Sequence, residues 1–300
     1  MCRKIGSEIL RLCRAVFTVF VLSAFGFSGL RLSAGSLSQA EDLYKRTEYE
    51  ASLALLDKKS ADPATDFLIG RNYFMIGDFK KATEYIQKAV VSEPRNSEYM
   101  DWLGRVYGKR AETGNPVMAP SFAGKARDAF EKSVQLDEKN SEALSDLFDY
   151  YLDAPGFLGG GYDKAYAVAQ KIAIIDPPAG YFCQAKLAQK RKEFQSAEEH
   201  LRQAIAVAPH EVGHMIALAK FLASQGRQRE SDAMFQQAQK VNPNAPRVWF
   251  AQADTLIKQK RGLAEAKALL EKYVQAPITV DDPPKEQALR LLKQVGGGPQ

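Results

Sequence analysis

Residues 66–94 read DFLIGRNYFMIGDFKKATEYIQKAVVSEP. In the first half, Ile69, Gly70 and Tyr73 recur at helical spacing, with Phe67 and Phe74 beside them. A glycine inside a helix costs about 1 kcal/mol against alanine, so Gly70 predicts the close approach of a second helix. Gly77-Asp78 ends the first helix, because glycine accepts the left-handed conformation that closes a helix C-terminus. In the second half Phe79, Ala82, Ile86 and Ala89 form one stripe, and Pro94 marks the stop. Neither helix can bury its stripe alone, so the stretch predicts a helical pair that needs neighbours.

The same pattern recurs along the chain. Residues 41–62 read as a truncated first copy, with Leu43-Tyr44 closing a short helix and Tyr49, Ser52 and Leu56 marking the next. A third copy has Met100, Leu103-Gly104, Tyr107, Ala126, Phe130 and Ser133. Its gap from Tyr107 to Ala126 predicts about ten extra residues, near 112–124, in the turn between its helices. A fourth copy has Leu144, Leu147, Tyr151, Ala165, Ala169, Ile172 and Pro177, with about five extra residues over 154–162. Copies five to seven follow through Tyr181, Ala185, Ala197 and Leu201, then Met215, Leu218, Phe235 and Ala238, then Trp249, Ala253, Ala266 and Leu270. Pro283-Pro284 precedes a last helix, Lys285 to Val295, whose polar face suits a terminal cap.

This grammar resembles the tetratricopeptide repeat (TPR), whose period is about 34 residues. In the copy above, Ile69-Gly70, Tyr73, Ala82, Ile86, Ala89 and Pro94 carry the resemblance; Asp66 departs from it, with Phe67 available in its place. The resemblance spans Glu41 to Val295 and implies an all-α superhelical solenoid of about six to seven helix-turn-helix repeats, with 63–275 as the repeats and 276–300 as cap and tail. It also implies a scaffold that binds a protein or peptide partner, with no reaction and no cofactor.

The resemblance places the first helix of each pair on a concave groove. Carried over residue by residue, the lining is Phe67, Arg71, Phe74, Arg105, Lys109, Phe182, Lys186, Lys190, Lys220 and Phe250, with Asp101, Asp149, Asp153 and Asp254 among them. Cations outnumber carboxylates, so the expected ligand is an extended or helical peptide of mixed or acidic character. The two-carboxylate clamp of some TPR domains is not expected, because Phe67 and Arg71 stand at its positions. A second expected surface is an apolar patch on the two inserted turns, through Val117, Met118, Pro120, Phe122, Phe157 and Leu158.

The net charge of +5 misleads. Residues 1–40 hold Arg3, Lys4, Arg11, Arg14 and Arg31 against Glu8, which leaves +1 for the rest and argues against nucleic acid as a partner. Those residues also have the order of an export signal: a basic start, an apolar run from Ala15 to Leu30, then small residues. Ser33-Ala34-Gly35 and Ser38-Gln39-Ala40 are both plausible processing sites. The expectation is a periplasmic or secreted protein, touching a membrane only if the segment over 15–30 is retained. Cys2 and Cys13 lie in the leader, so Cys183 has no internal disulfide partner in the remainder.

Two motifs compete with the scaffold reading. His210-Glu211-Val212-Gly213-His214 matches H-E-x-x-H, in which two histidines one helical turn apart bind zinc and the glutamate acts as base. Pro209 sets it across a turn between repeats, with the helix starting near Val212, which removes the two rings from a common face. Gly156-Phe157-Leu158-Gly159-Gly160-Gly161 has the outer glycines of a phosphate loop, but Tyr162-Asp163 replaces its Lys and Ser/Thr. The sequence reading is therefore a non-catalytic scaffold, with a zinc peptidase through His210, Glu211 and His214 as the alternative.

Overall fold

The computed structural model describes residues 36–296, which form helices and no strand. In chain order these are α1 (36–45), α2 (Tyr49–Leu55), α3 (Pro63–Ile76), α4 (Phe79–Ser92), α5 (Ser97–Thr113), α6 (Ala119–Leu136), α7 (Ser141–Asp153) and α8 (Tyr162–Ile175). They continue as α9 (Pro177–Lys190), α10 (Phe194–Val207), α11 (Val212–Ser224), α12 (Gln228–Val241), α13 (Pro246–Lys258), α14 (Leu263–Gln275) and α15 (Lys285–Gly296). Odd and even neighbours pair, from α1/α2 to α13/α14, and α15 covers the last pair.

Local chemistry sets the ends of these helices. Asp62, Asp78, Asn96, Asn140 and Asp176 each accept a backbone N–H at a helix start, satisfying donors that a helix leaves open. Gly77 closes α3 at φ 90°, and its N–H returns to Phe74 and Tyr73. The partner helix then lies very close. A Cβ built on Gly70 would stand 2.6 Å from Ile86 Cδ1, and one on Gly104 would stand 2.5 Å from the Phe130 ring.

The first helices of successive repeats touch one another: α3 meets α5, α5 meets α7, α7 meets α9, and α11 meets α13. The second helices of successive repeats make no comparable contact. The ribbon therefore curves with the first helices inside. The stretch after α14 folds back along it. Asp282 caps Thr279 at 3.0 Å and lies 3.6 Å from Arg247, and Val280 packs on the cluster of Ala40, Tyr44 and Tyr49 in the first repeat. The described ends of the solenoid thus meet.

Two parts differ from the sequence expectation. The ten or so extra residues of repeat three do not form a long loop. They lengthen α5 and α6 to 17 and 18 residues, against 14 in α3 and α4, and leave only Gly114 to Met118 as the turn. Pro120 permits this, because a proline in a first helical turn forfeits no bond. The segment 36–40, counted with the leader from sequence, belongs to α1. Ala40 is fully buried and accepts a bond from Ser52 Oγ at 2.7 Å; Asn72 Nδ2 in turn donates to Ser52 Oγ at 3.0 Å. The rest of the expected leader, 1–35, lies outside the described residues.

Gly70→Ala and Gly104→Ala should each lower unfolding free energy by about 1–3 kcal/mol, since the new methyl must displace Ile86 or Phe130. Gly77→Ala meets nothing within 4 Å and should cost only the left-handed strain, about 1–2 kcal/mol. Urea unfolding followed by circular dichroism measures all three. An unchanged midpoint for Gly70→Ala and Gly104→Ala would overturn the close-approach account.

Candidate functional site: the concave face

The inner face is built from α1, α3, α5, α7, α9, α11 and α13. At its start Arg71 lies between two rings, 4.4 Å from the centre of Tyr44 and 4.8 Å from that of Trp102, with Glu98 at 3.9 Å. Phe74 is half-buried against Trp102, at 5.4 Å between ring centres. Tyr44 and Trp102 were not among the residues carried over from the repeat pattern. Both are aromatic residues on first helices, which was the available signal, and both are buried, so they position Arg71 instead of lining the open groove.

Arg105 sits at the middle of a carboxylate cluster. Its guanidinium meets Asp101 at 3.0 Å on its own helix, Glu142 at 2.9 Å and Asp146 on α7. Asp101 is 1% exposed, and its Oδ1 has no hydrogen-bond partner. Burial pushes its carboxyl up to about 7, with the field of Arg105 opposing that rise and the charge of Asp146 adding to it. Burial raises Asp146 as well. Glu142 and Asp146 also escaped the sequence reading, although they stand one turn apart on α7, as Asp101 and Arg105 do on α5.

Further along, Lys186 pairs with Asp149, Lys190 with Asp153 at 3.3 Å, and Lys109 with Glu112 at 2.7 Å. Lys220 has no hydrogen bond or ion pair, and Lys258 holds the neighbouring Asp254 at 2.8 Å. Desolvation lowers the pKa of Lys220, with Asp254 opposing. Between α9 and α11 a cavity of about 590 Å3 is lined by Phe182, Lys186, Gln189, His214, Ile216, Ala217 and Lys220, with Leu201 and Phe221 behind. Desolvation also lowers the pKa of His214.

Two expected groove residues are not on an open surface. Phe67 is 6% exposed and packs 4.3 Å from Tyr99 and 6.2 Å from Trp102, filling the space between α3 and α5. Phe250 is 5% exposed and lies 5.2 Å from the Tyr273 ring. Both are large apolar side chains at helix–helix contacts, where burial gains more than exposure to a groove. The expected excess of positive charge is also mostly absent, because carboxylates from neighbouring helices neutralise it.

The inserted turns give a smaller patch than expected. Phe157 is 83% exposed, Val117 84% and Met118 47%. Phe122 instead turns inward over Tyr107, at 6.1 Å, beneath Arg110 at 4.0 Å, and Leu158 is half-buried. The glycine run is a closed turn. The N–H groups of Leu158, Gly159, Gly160 and Gly161 donate to Pro155, Gly156, Pro155 and Tyr151, so none points outward to hold an anion.

His210 lies exposed in the turn before α11, and His214 lies in the first turn of that helix at the cavity wall. The helix begins at Val212, so the helical register that would align the two imidazoles does not include His210. Among the described residues no group of three His, Cys, Asp or Glu is arranged to hold a metal. Nothing in the arrangement supports a peptidase. Cys183 is buried, which pushes its thiol up to about 12, far from thiolate reactivity.

Comparison with known proteins agrees with this architecture. Residues 217–279 match the family model described as tetratricopeptide repeat. The fold is similar to that of a thermophilic TPR protein of Thermus thermophilus, at 18% identity, covering 63% of this chain and 98% of that one with a TM-score of 0.53. It is also similar to a tetratricopeptide repeat protein of Parabacteroides merdae, at 14% identity, covering 89% and 100% with a TM-score of 0.55. No curated protein sequence matches.

The Asp101 carboxyl gives a pH signature. Its folded pKa lies above that of an unfolded aspartate, so the folded state holds a proton that the unfolded chain has lost. Its stabilising contribution is complete below the unfolded value of about 4 and disappears as pH rises through about 7. Between about pH 5 and pH 8 the protein should lose on the order of 1–3 kcal/mol, and Asp101→Asn should lose much less over the same interval. Urea midpoints at the two pH values decide it, and parallel losses in both proteins would remove Asp101 as the source.

Proposed function

From a chain that folds as a tetratricopeptide-repeat solenoid and carries that repeat's pattern over 217–279, we propose a non-catalytic scaffold that binds a protein partner along its concave face. The observation that carries this reading is the inner face itself. Half-buried Phe74 and Arg71, the latter held between the buried rings of Tyr44 and Trp102, stand at its start, the Arg105 cluster follows, and a cavity opens between α9 and α11. Aromatic and arginine side chains at a concave surface are the residue types that anchor partners. A photo-crosslinking amino acid at Phe74 or Lys190 should capture a partner in cells, whereas the same group at Val91, 80% exposed on α4, should not. Equal capture from Val91 would remove the concave face as the binding surface.

A second reading rests on Val117, Met118 and Phe157. These are apolar side chains left exposed on the turns of adjacent repeats, where a second partner surface would lie. Met118→Ser with Phe157→Ser should leave thermal unfolding within a degree or two, roughly what a change under 0.5 kcal/mol gives at an exposed site. Capture from Phe74 and Lys190 should persist in that variant, while any partner held by the turns is lost.

The location we infer is the bacterial cell envelope, because the order of residues 1–35 suits export. Processing after Gly35 fits the fold better than processing after Ala40, which would divide α1 at a fully buried residue. N-terminal sequencing of the protein from its native host should find a start at or near Ser36. A start at Glu41 would contradict this inference, and a retained Met1 would indicate an anchored form.

A further inference from the structure

The six cations expected in the groove are not equivalent. Arg71, Arg105, Lys109, Lys186 and Lys190 each have a carboxylate within 4 Å on the protein itself. Lys220 has none, and it lines the cavity between α9 and α11. The floor of that cavity is apolar, through Phe182, Ile216 and Ala217, and its polar wall is Lys186, His214 and Lys220 with a glutamine; no Asp or Glu is among its lining residues. Of the carboxylates around it, Asp254, whose charge acts on Lys220, is held by Lys258, Asp149 is held by Lys186, and Asp176 and Glu211 lie toward His214. An exposed ammonium group at an apolar cavity, with no ion pair of its own, favours a ligand that supplies a carboxylate and covers the apolar surface together.

The geometry points to this cavity as the specificity pocket for a partner segment in which an Asp or Glu stands beside an aromatic or branched aliphatic residue. The carboxylate pairs with Lys220 while the apolar side chain lies on Phe182 and Ile216. This rests on the concave face being the binding face, and it narrows the ligand. Elsewhere on that face the positive charges are satisfied internally, so acid preference resides at one pocket instead of along the whole groove. The volume of about 590 Å3 accommodates two adjacent side chains.

The test uses the full chain and three blocked peptides, acetyl-Ser-Asp-Phe-Ser-amide and its Asn and Lys counterparts at the second position. Binding is read by saturation-transfer NMR, with Lys220→Ala and Lys220→Glu compared with the parent and circular dichroism confirming their fold. The Asp peptide should bind at least about tenfold more tightly than the Lys peptide. Lys220→Ala should erase that preference, and Lys220→Glu should reverse it. Acid preference that persists in Lys220→Glu, or three peptides that bind the parent equally or not at all, would overturn the pocket assignment. Crosslinking from Phe74 and Lys190 in cells reports on the scaffold reading separately: capture there with no acid preference here rejects the pocket alone.

Discussion

Each repeat depends on how near its two helices can come. A small residue stands at full burial in every second helix: Ser52, Ala82, Ala126, Ala165, Ala197, Ser231 and Ala266. Glycine faces that contact in two first helices, where Ile86 and Phe130 occupy the space a methyl would need. Dispersion contacts at this range are individually weak and collectively decisive, and a gap of half an ångström forfeits much of them. Close pairing lets Ile86, Phe130, Ile172, Leu201, Phe235 and Leu270 reach the next element, which joins seven marginal hairpins through successive core clusters along the ribbon.

Curvature follows from that pairing, and the inner face follows from curvature. First helices converge, so side chains four residues apart on one helix meet those of the next. This is how Arg105 comes to hold carboxylates from two helices, and how Lys186 and Lys190 find Asp149 and Asp153 across a repeat boundary. The cost of burying Asp101 and Asp146 appears as carboxyl groups that hold their protons more tightly, while the rings of Tyr44 and Trp102 take up Arg71. The surface that results is nearly neutral along most of its length. Lys220, with no ion pair of its own, stands out against it.

Much of the fold was legible in the sequence, because its grammar is local. Gly77-Asp78 announced a turn, Gly70 announced a close neighbour, and the recurrence of alanine or serine on one stripe announced copies of the same unit. Helix 11 starting at Val212 followed from Pro209 and disposed of the paired-histidine motif. Less of the site was legible. Phe67 and Phe250 have the residue type of groove anchors and are instead packed inside. Residues 112–124 looked like an insertion in a turn, and all but Gly114 to Met118 became helix, since nothing in their own sequence says which face a neighbouring helix will cover.

The sequence by itself determined the helical pairs, their order and their phase, because those depend on contacts within about 34 residues of chain. Only the tertiary structure decided which charges remain open. Ion pairing across the inner face joins residues about 37 or 41 positions apart, as Lys186 does with Asp149 and Arg105 with Asp146. Distances across that face depend on superhelical curvature, which accumulates from small rotations between repeats and leaves no mark on any single stretch of sequence.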